Sequence, residues 1–346
     1  SQQIFLLLCG ALYSLLCGLR ASSVGYDTDN YYLIFKSFSS HSELWKVYAS
    51  YLEPGFVLLN FIIIKLGGDI HVLLLCCSTF IVYSTLLFLY RYAKRFYFSV
   101  FILVSFPFFL SSMDILRFFL AISIYFYAVK YAIEKKPLRY ILITLLAAQF
   151  HKMLYLFVLF YFFIKLKWGK IAITITLIFT TMLLIMPNSF VAIVSDILGR
   201  YNIYANENAW AGMFSGGVKT AVMYAVIYII YLKVHHKCEK IGNEREQAED
   251  NFFHSSMVVL LISSVVFINM GLMIRMILAM QPFMAVAIGN VTGVYSDEQC
   301  KFGIHPPFYR LPLFKAVMIG ICLLYYIFLL WSNWQNVIPY IPYWLE

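Results

Sequence analysis

The sequence predicts an all-α polytopic membrane protein of about eleven transmembrane helices, with re-entrant or juxtamembrane helices on its outer face. Three observations carry that expectation. Hydrophobic residues make up 62% of the 346 positions and charged residues only 12%, with a mean hydropathy of +0.79. Apolar runs recur along the whole chain. Lysines and arginines gather in short loops between alternate runs, so the net charge of +9 reads as membrane topology and not as a nucleic-acid surface. Residues 1–346 are read as a single integral membrane domain.

The apolar runs that predict spans are 4–19, 69–90, 97–111, 115–133, 138–150, 153–164, 170–186, 217–234, 253–270, 272–293 and 313–331. The first resembles a signal peptide in length, but it has neither a basic leader nor an Ala-x-Ala site and is read as a retained helix. The opening Ser1-Gln-Gln suggests a missing initiator methionine or a trimmed tag. At about 1.5 Å per residue, the runs at 97–111, 138–150 and 153–164 are short for a core of about 30 Å and must tilt or borrow polar flanks. The run 54–66 follows Glu53-Pro-Gly55 and is shorter still; it is read as a re-entrant or surface-lying helix. Seven cysteines, mostly inside apolar runs and without a Cys-x-x-Cys pair, read as small apolar fillers.

Arg91, Lys94 and Arg95 share one loop, and Lys130, Lys135, Lys136 and Arg139 another. Lys165, Lys167 and Lys170, then Lys233, Lys237, Lys240 and Arg245, then Lys301, Arg310 and Lys315, continue the series. These loops alternate with basic-poor ones, which puts them in the cytoplasm, the N-terminus inside and the C-terminus outside. Residues 20–68 and 187–215 are then outer segments lying against the bilayer, 20–68 holding the re-entrant helix. Residues 235–252 are a mobile cytoplasmic loop. The aromatic tail 338–345 belongs to the outer interface.

On this topology the unusual polar residues collect on one face. Asp27, Asp29 and Glu53 fall in the first outer segment and Arg200 in the second. Arg117 opens a span, with Asp114 just before it. His151 and Lys152 occupy one outer turn and Arg275 another. A guanidinium at membrane depth is costly and stays charged, so it faces a partner, a cavity or an anionic ligand. Asp114, three residues before Arg117, offers a local neutralising partner on the same helix face. Arginines hold phosphate oxygens bidentately and can stabilise a departing pyrophosphate, while a carboxylate or imidazole can take a proton from an attacking hydroxyl. The kit therefore suits transfer from a lipid-linked phosphate donor, with a site that needs no metal and no cofactor.

Each residue has a plainer use. Asp27 and Asp29 can cap a helix or form a turn, Glu53 can start a helix, and His151 can be a satisfied polar cap. Lys152 can snorkel, and Arg200 either binds the second carrier's phosphate or is surface charge. His235, His236 and His254 lie towards the cytoplasmic side and are given no chemistry.

Several short elements resemble the EpsG-like membrane polymerases. Gly25-Tyr-Asp-Thr-Asp-Asn-Tyr-Tyr32 resembles their early Gly-x-Asp-x-x-x-Tyr element, and Glu53-Pro-Gly-Phe56 their Glu-x-Gly-Tyr/Phe element. Arg117-Phe-Phe-Leu-Ala121 is similar to their Arg-x-x-x-Ala helix start, Phe150-His-Lys152 to their Phe-His element, and Arg275 to their late arginine. Lys152-Met153 and Phe118 depart from the residues common there. The resemblance implies a Wzy-type polysaccharide polymerase with a fold resembling C-type glycosyltransferases. Such an enzyme sits in the bacterial inner membrane, with its site facing the periplasm. It moves a glycan from undecaprenyl pyrophosphate onto the terminal sugar hydroxyl of another lipid-linked repeat unit, yielding O-antigen, capsule or exopolysaccharide. It implies Asp27, Asp29, Glu53 and His151 as catalytic candidates and Arg117, Arg275 and Arg200 as pyrophosphate ligands. Membrane lipid, a chain-length regulator and a flippase are the implied partners, and nucleic acid is not.

The rivals are a lipid-linked oligosaccharide flippase, which should place polar residues at mid-depth and usually show an internal repeat, and a membrane-bound acyltransferase using the histidine.

Overall fold

The computed structural model describes residues 2–40, 44–163, 214–235, 244–266, 268, 274–297 and 310–345, with isolated positions between 174 and 185. The described residues form helices and no strand beyond an isolated bridge between Arg20 and Pro342. In chain order the helices are α1 (Gln2–Gly18), α2 (Thr28–Ser39), α3 (Leu44–Tyr51), α4 (Pro54–Lys65) and α5 (Ile70–Tyr92). Next come α6 (Phe96–Ser105), α7 (Phe108–Asp114), α8 (Leu116–Ile133), α9 (Pro137–Ala148) and α10 (Tyr155–Phe163). The last are α11 (Phe214–His235), α12 (Glu244–Val266), α13 (Ile274–Asp297) and α14 (Arg310–Trp331).

Among the described residues, four helices are long and apolar enough to cross a membrane: 70–92, 116–133, 274–292 and 312–331. α6 and α7 make a fifth if their pair, bent by 56°, counts as one span. The bend falls at Pro107, which cannot donate to the ladder of a continuing helix. The runs expected at 4–19, 138–150 and 153–164 are shorter apolar helices. The run 170–186 falls largely, and the segment 187–213 wholly, outside the described residues.

Local chemistry sets the boundaries. Pro54 and Pro137 stand at the first turns of α4 and α9, where a missing N–H costs nothing. Asp69 caps α5 by accepting from the Val72 N–H at 2.9 Å. The loop expected at 235–252 is already helical from Glu244, because Glu244 and Glu246 complement the helix dipole and Arg245 pairs with Glu249 at 3.2 Å. α4, with 12 residues, is about 18 Å long.

The described chain divides into two compact units, one formed by 1–158 and 319–346, the other by 159–318. In the first unit, α1 and α5 run antiparallel. Phe5 meets Phe96 edge-on at 5.9 Å, the Tyr83 hydroxyl donates to the Leu7 carbonyl at 3.0 Å, and Gly18 lies against Leu75. α8, α9 and α10 are tied through buried hydroxyls: Tyr125 and Tyr140 are 3.0 Å apart, and Tyr140 donates to the Phe157 carbonyl at 2.5 Å. The tail after α14 returns to the Gly18 end of α1, where the Tyr343 N–H donates to the Leu19 carbonyl at 3.0 Å and the Ala21 N–H to Ile341 at 2.8 Å. Cys17, Ala21, Val24, Met113 and Val337 make a small apolar core there. In the second unit, Gln281 donates to the Tyr224 hydroxyl at 2.9 Å, and Phe252 packs edge-on against Phe283 at 5.6 Å.

Candidate active site

The site is built at the Gly18 end of α1, from the loop before α2, the start of α4, the α7–α8 break and the turn after α9. Gly25 opens it. Its φ of +93° suits glycine, and a Cβ there would lie 3.0 Å from Thr28 Oγ1 and 3.3 Å from Asp114 Oδ1. Two residues on, the Asp27 N–H donates to Asp114 Oδ1 at 2.6 Å. Asp27 is the N-cap of α2, yet its side chain makes no capping bond and is half-exposed. Asp29 is exposed in the first turn of α2, where negative charge favours the helix dipole.

Glu53 joins two of the other candidates. Its side chain is 2% exposed; Oε2 lies 2.5 Å from Arg117 Nη1, and Oε1 accepts from the Lys152 N–H at 3.3 Å. The Gly55 N–H donates to the Gln149 carbonyl at 2.8 Å, an approach so close that a Cβ on Gly55 would sit 2.8 Å from the same oxygen. The start of α4 is thereby pinned to the end of α9. The Arg117 guanidinium lies over Phe56 at 5.9 Å with Tyr31 beside it, and its Nε, buried, has no hydrogen-bond partner among the described residues. Burial pushes the Tyr31 phenol up to about 12, against the pull of Arg117, so it stays a neutral donor.

The local pairing of Arg117 with Asp114 is therefore not what forms. The reason is the break at Ile115 (φ −87°, ψ 56°), which leaves Asp114 as the last residue of α7 and Arg117 as the second of α8. The spacing rule for one helix face does not apply across it. Asp114 instead receives the Asp27 loop, and Arg117 reaches Glu53.

His151 is 4% exposed. Its Nδ1 accepts from the Met153 N–H at 3.3 Å, capping the short 3₁₀ turn Lys152–Leu154, and its ring meets Phe118 edge-on at 5.3 Å. In the neutral ring that bond leaves the proton on Nε2. Arg275 is the second residue of α13, half-buried, in the other unit. Arg200 lies outside the described residues. Among the described residues, no group of three or more His, Cys, Asp or Glu side chains could hold a metal ion.

A model of the EpsG family matches residues 3–344, nearly the whole chain. The chain belongs to the EpsG family. No curated protein and no solved structure matches it. In this EpsG-family chain, the elements around Gly25, Glu53, Arg117 and His151, far apart in sequence, meet at one end of the first unit. The basic turns at 91–95 and 134–136 lie at the opposite ends of α5 and α8. Sequence reasoning missed Arg20, which is 0% exposed and lies beside this cluster. The available signal was its position: a lone arginine directly after the first apolar run, at the end that the charge pattern of the loops would place outside, where the positive-inside rule disfavours one.

Proposed function

We propose that this EpsG-family protein is a polysaccharide polymerase that transfers an undecaprenyl-pyrophosphate-linked glycan onto another lipid-linked repeat unit. Family membership supports a role in polysaccharide polymerisation in general. The observation that carries the finer reading is Glu53, one buried carboxylate shared by Arg117 and the turn after His151, with half-exposed Asp27 on the neighbouring loop.

In the reaction, the bond between the donor's anomeric carbon and pyrophosphate breaks. A new bond forms to the acceptor's terminal hydroxyl oxygen, whose proton goes to a base, and undecaprenyl pyrophosphate departs. Asp27 is the preferred base, because its carboxylate is uncapped and half-exposed. His151 suits donation from Nε2 better than proton abstraction, since its Nδ1 is engaged by Met153. Glu53 orients Arg117, whose planar fork has donors left for a pyrophosphate oxygen. Arg275 and Arg200 are the further ligands of this reading, and Asp29 is a weaker candidate for the acceptor. Arginines supply the charge the leaving group needs, so the scheme calls for no cofactor.

The reading carries with it a single integral membrane domain with about eleven spans, outer segments at 20–68 and 187–215, and a fold like that of C-type glycosyltransferases. The site then faces the periplasm of an inner-membrane protein, and a flippase and a chain-length regulator work beside it. The separation of the basic turns from the cluster in the first unit supports that orientation. Deleting the gene and analysing the lipid-linked glycans tests the function: single repeats should accumulate on the outer leaflet. Their loss from that leaflet would point to a flippase and overturn the proposal.

A further inference from the structure

Arg20 is fully buried, and no other arginine or lysine among the described residues is. Its Nη1 donates to the Cys17 carbonyl and its Nε to Thr28 Oγ1 at 3.3 Å, while Nη2 has no hydrogen-bond partner among the described residues. Burial pulls its pKa below the usual arginine value, yet a guanidinium keeps its proton in proteins. No carboxylate among the described residues forms an ion pair with it; Asp114, Tyr31 and Tyr32 are near enough to act on it electrostatically. The tail covers it through the Arg20–Pro342 bridge. An apolar side chain of similar volume would serve packing at least as well, because a buried charge without good pairing is a net burden on the fold.

The neighbourhood shows what the charge is used for. Thr28, held by Arg20, donates its hydroxyl to the Val24 carbonyl at 2.6 Å and begins α2. Asp114 holds the Asp27 N–H, and the Gly25 N–H donates to the Asn336 carbonyl of the tail at 3.1 Å. An N-cap aspartate ordinarily has extended backbone and folds its side chain back onto the first-turn N–H groups. Asp27 instead has φ −94° and ψ −7°, and its side chain makes no such bond. The loop is held from both ends in a conformation that withholds Asp27 from its own helix.

Building on the polymerase reading, we propose that Arg20 is a positioning residue for transfer: acting through Thr28 and Asp114, it keeps the Asp27 carboxylate uncapped and available to the acceptor hydroxyl. It touches no reacting atom. The test uses purified full-length protein in detergent, with lipid-linked repeat units extracted from the deletion strain as substrate. Arg20→Met should leave the yield of folded protein and the KM for the donor unchanged while lowering kcat about 10–100-fold, the scale of a misplaced catalytic group. Thr28→Val should do the same, and the double variant should be no worse than either. Arg20→Lys should recover part of kcat. If Arg20→Met does not fold, Thr28→Val decides by the same kcat and KM readout. Wild-type kcat in Thr28→Val or in a folded Arg20→Met protein overturns the proposal, and so does a fall in activity that only tracks the amount of folded protein. Asp27→Asn separates this from the reading beneath it. If that variant is inactive while Arg20→Met and Thr28→Val are active, only the positioning role fails. If it is fully active, Asp27 has no part in transfer, so the base assignment and the positioning role fail together while the polymerase reading stands or falls on the glycan analysis.

Discussion

Replacing Arg117 by methionine removes one partner of a carboxylate whose side chain is only 2% exposed. Glu53 would keep the Lys152 N–H at 3.3 Å but lose the 2.5 Å contact that neutralises it. Breaking a buried pair on one side costs about 3–5 kcal/mol, because the remaining carboxylate stays desolvated without its counter-charge. At about 2 °C per kcal/mol, the lower end for larger domains, the melting midpoint should fall by roughly 6–10 °C. Glu53→Gln combined with Arg117→Met removes both charges and should recover about half or more of that loss. The assay is thermal unfolding of the detergent-solubilised protein for both single variants and the double variant. A midpoint for Arg117→Met within a degree of the unaltered protein, or a double variant that loses the sum of the singles, would refute a buried and coupled pair. Arg117→Lys isolates the chemistry: it keeps the charge for Glu53 but loses the fork, so long-chain polymer should fall sharply while the midpoint moves little.

Asp27→Asn should lower transfer by about 10²–10⁴-fold with little change in folding, measured as turnover of lipid-linked repeats, since it removes a half-exposed base and leaves its N–H on Asp114. His151→Asn retains an acceptor for the Met153 N–H; polymer length at the wild-type value in that variant would show that His151 serves the turn and not the reaction. Gly25→Ala should destabilise by about 1–3 kcal/mol, seen as a lower melting midpoint, because φ of +93° is strained for alanine and its Cβ crowds Thr28 and Asp114. A reporter fused after Lys240 should be cytoplasmic and one inserted near Tyr204 periplasmic; the reverse would overturn the orientation, and with it the face assigned to the site.

The membrane class, the helical content and the position of most described helices were legible in the sequence, because hydropathy and turn chemistry act over a few residues. Pro54, Pro137 and Asp69 mark their boundaries locally, whereas Pro107 breaks the run 97–111, expected as one span, into two helices bent by 56°. The gathering of Asp27, Glu53, Arg117 and His151 was also legible in outline, from charge alternation between loops. Their pairing was not. Arg117 had a candidate partner three residues away in Asp114 and a true one 64 residues away in Glu53. The start of α12 was misjudged because Glu244–Asp250 is polar enough to read as a loop, although its charges suit a helix terminus.

What the sequence by itself determined is the broad setting of the chain: a helical, apolar protein with runs able to cross a membrane, and loops between them that carry the positive charge. Transfer free energies add along the chain, so they can be read without coordinates. What only the tertiary structure decided is which charge answers which. The break at Ile115 separates Asp114 from Arg117, and the start of α4, docked on Gln149, brings Glu53 to the arginine in its place. The returning tail seals Arg20 beside Thr28. Electrostatic partnership falls off over a few ångströms, and at that range helix packing, not sequence separation, sets the neighbour.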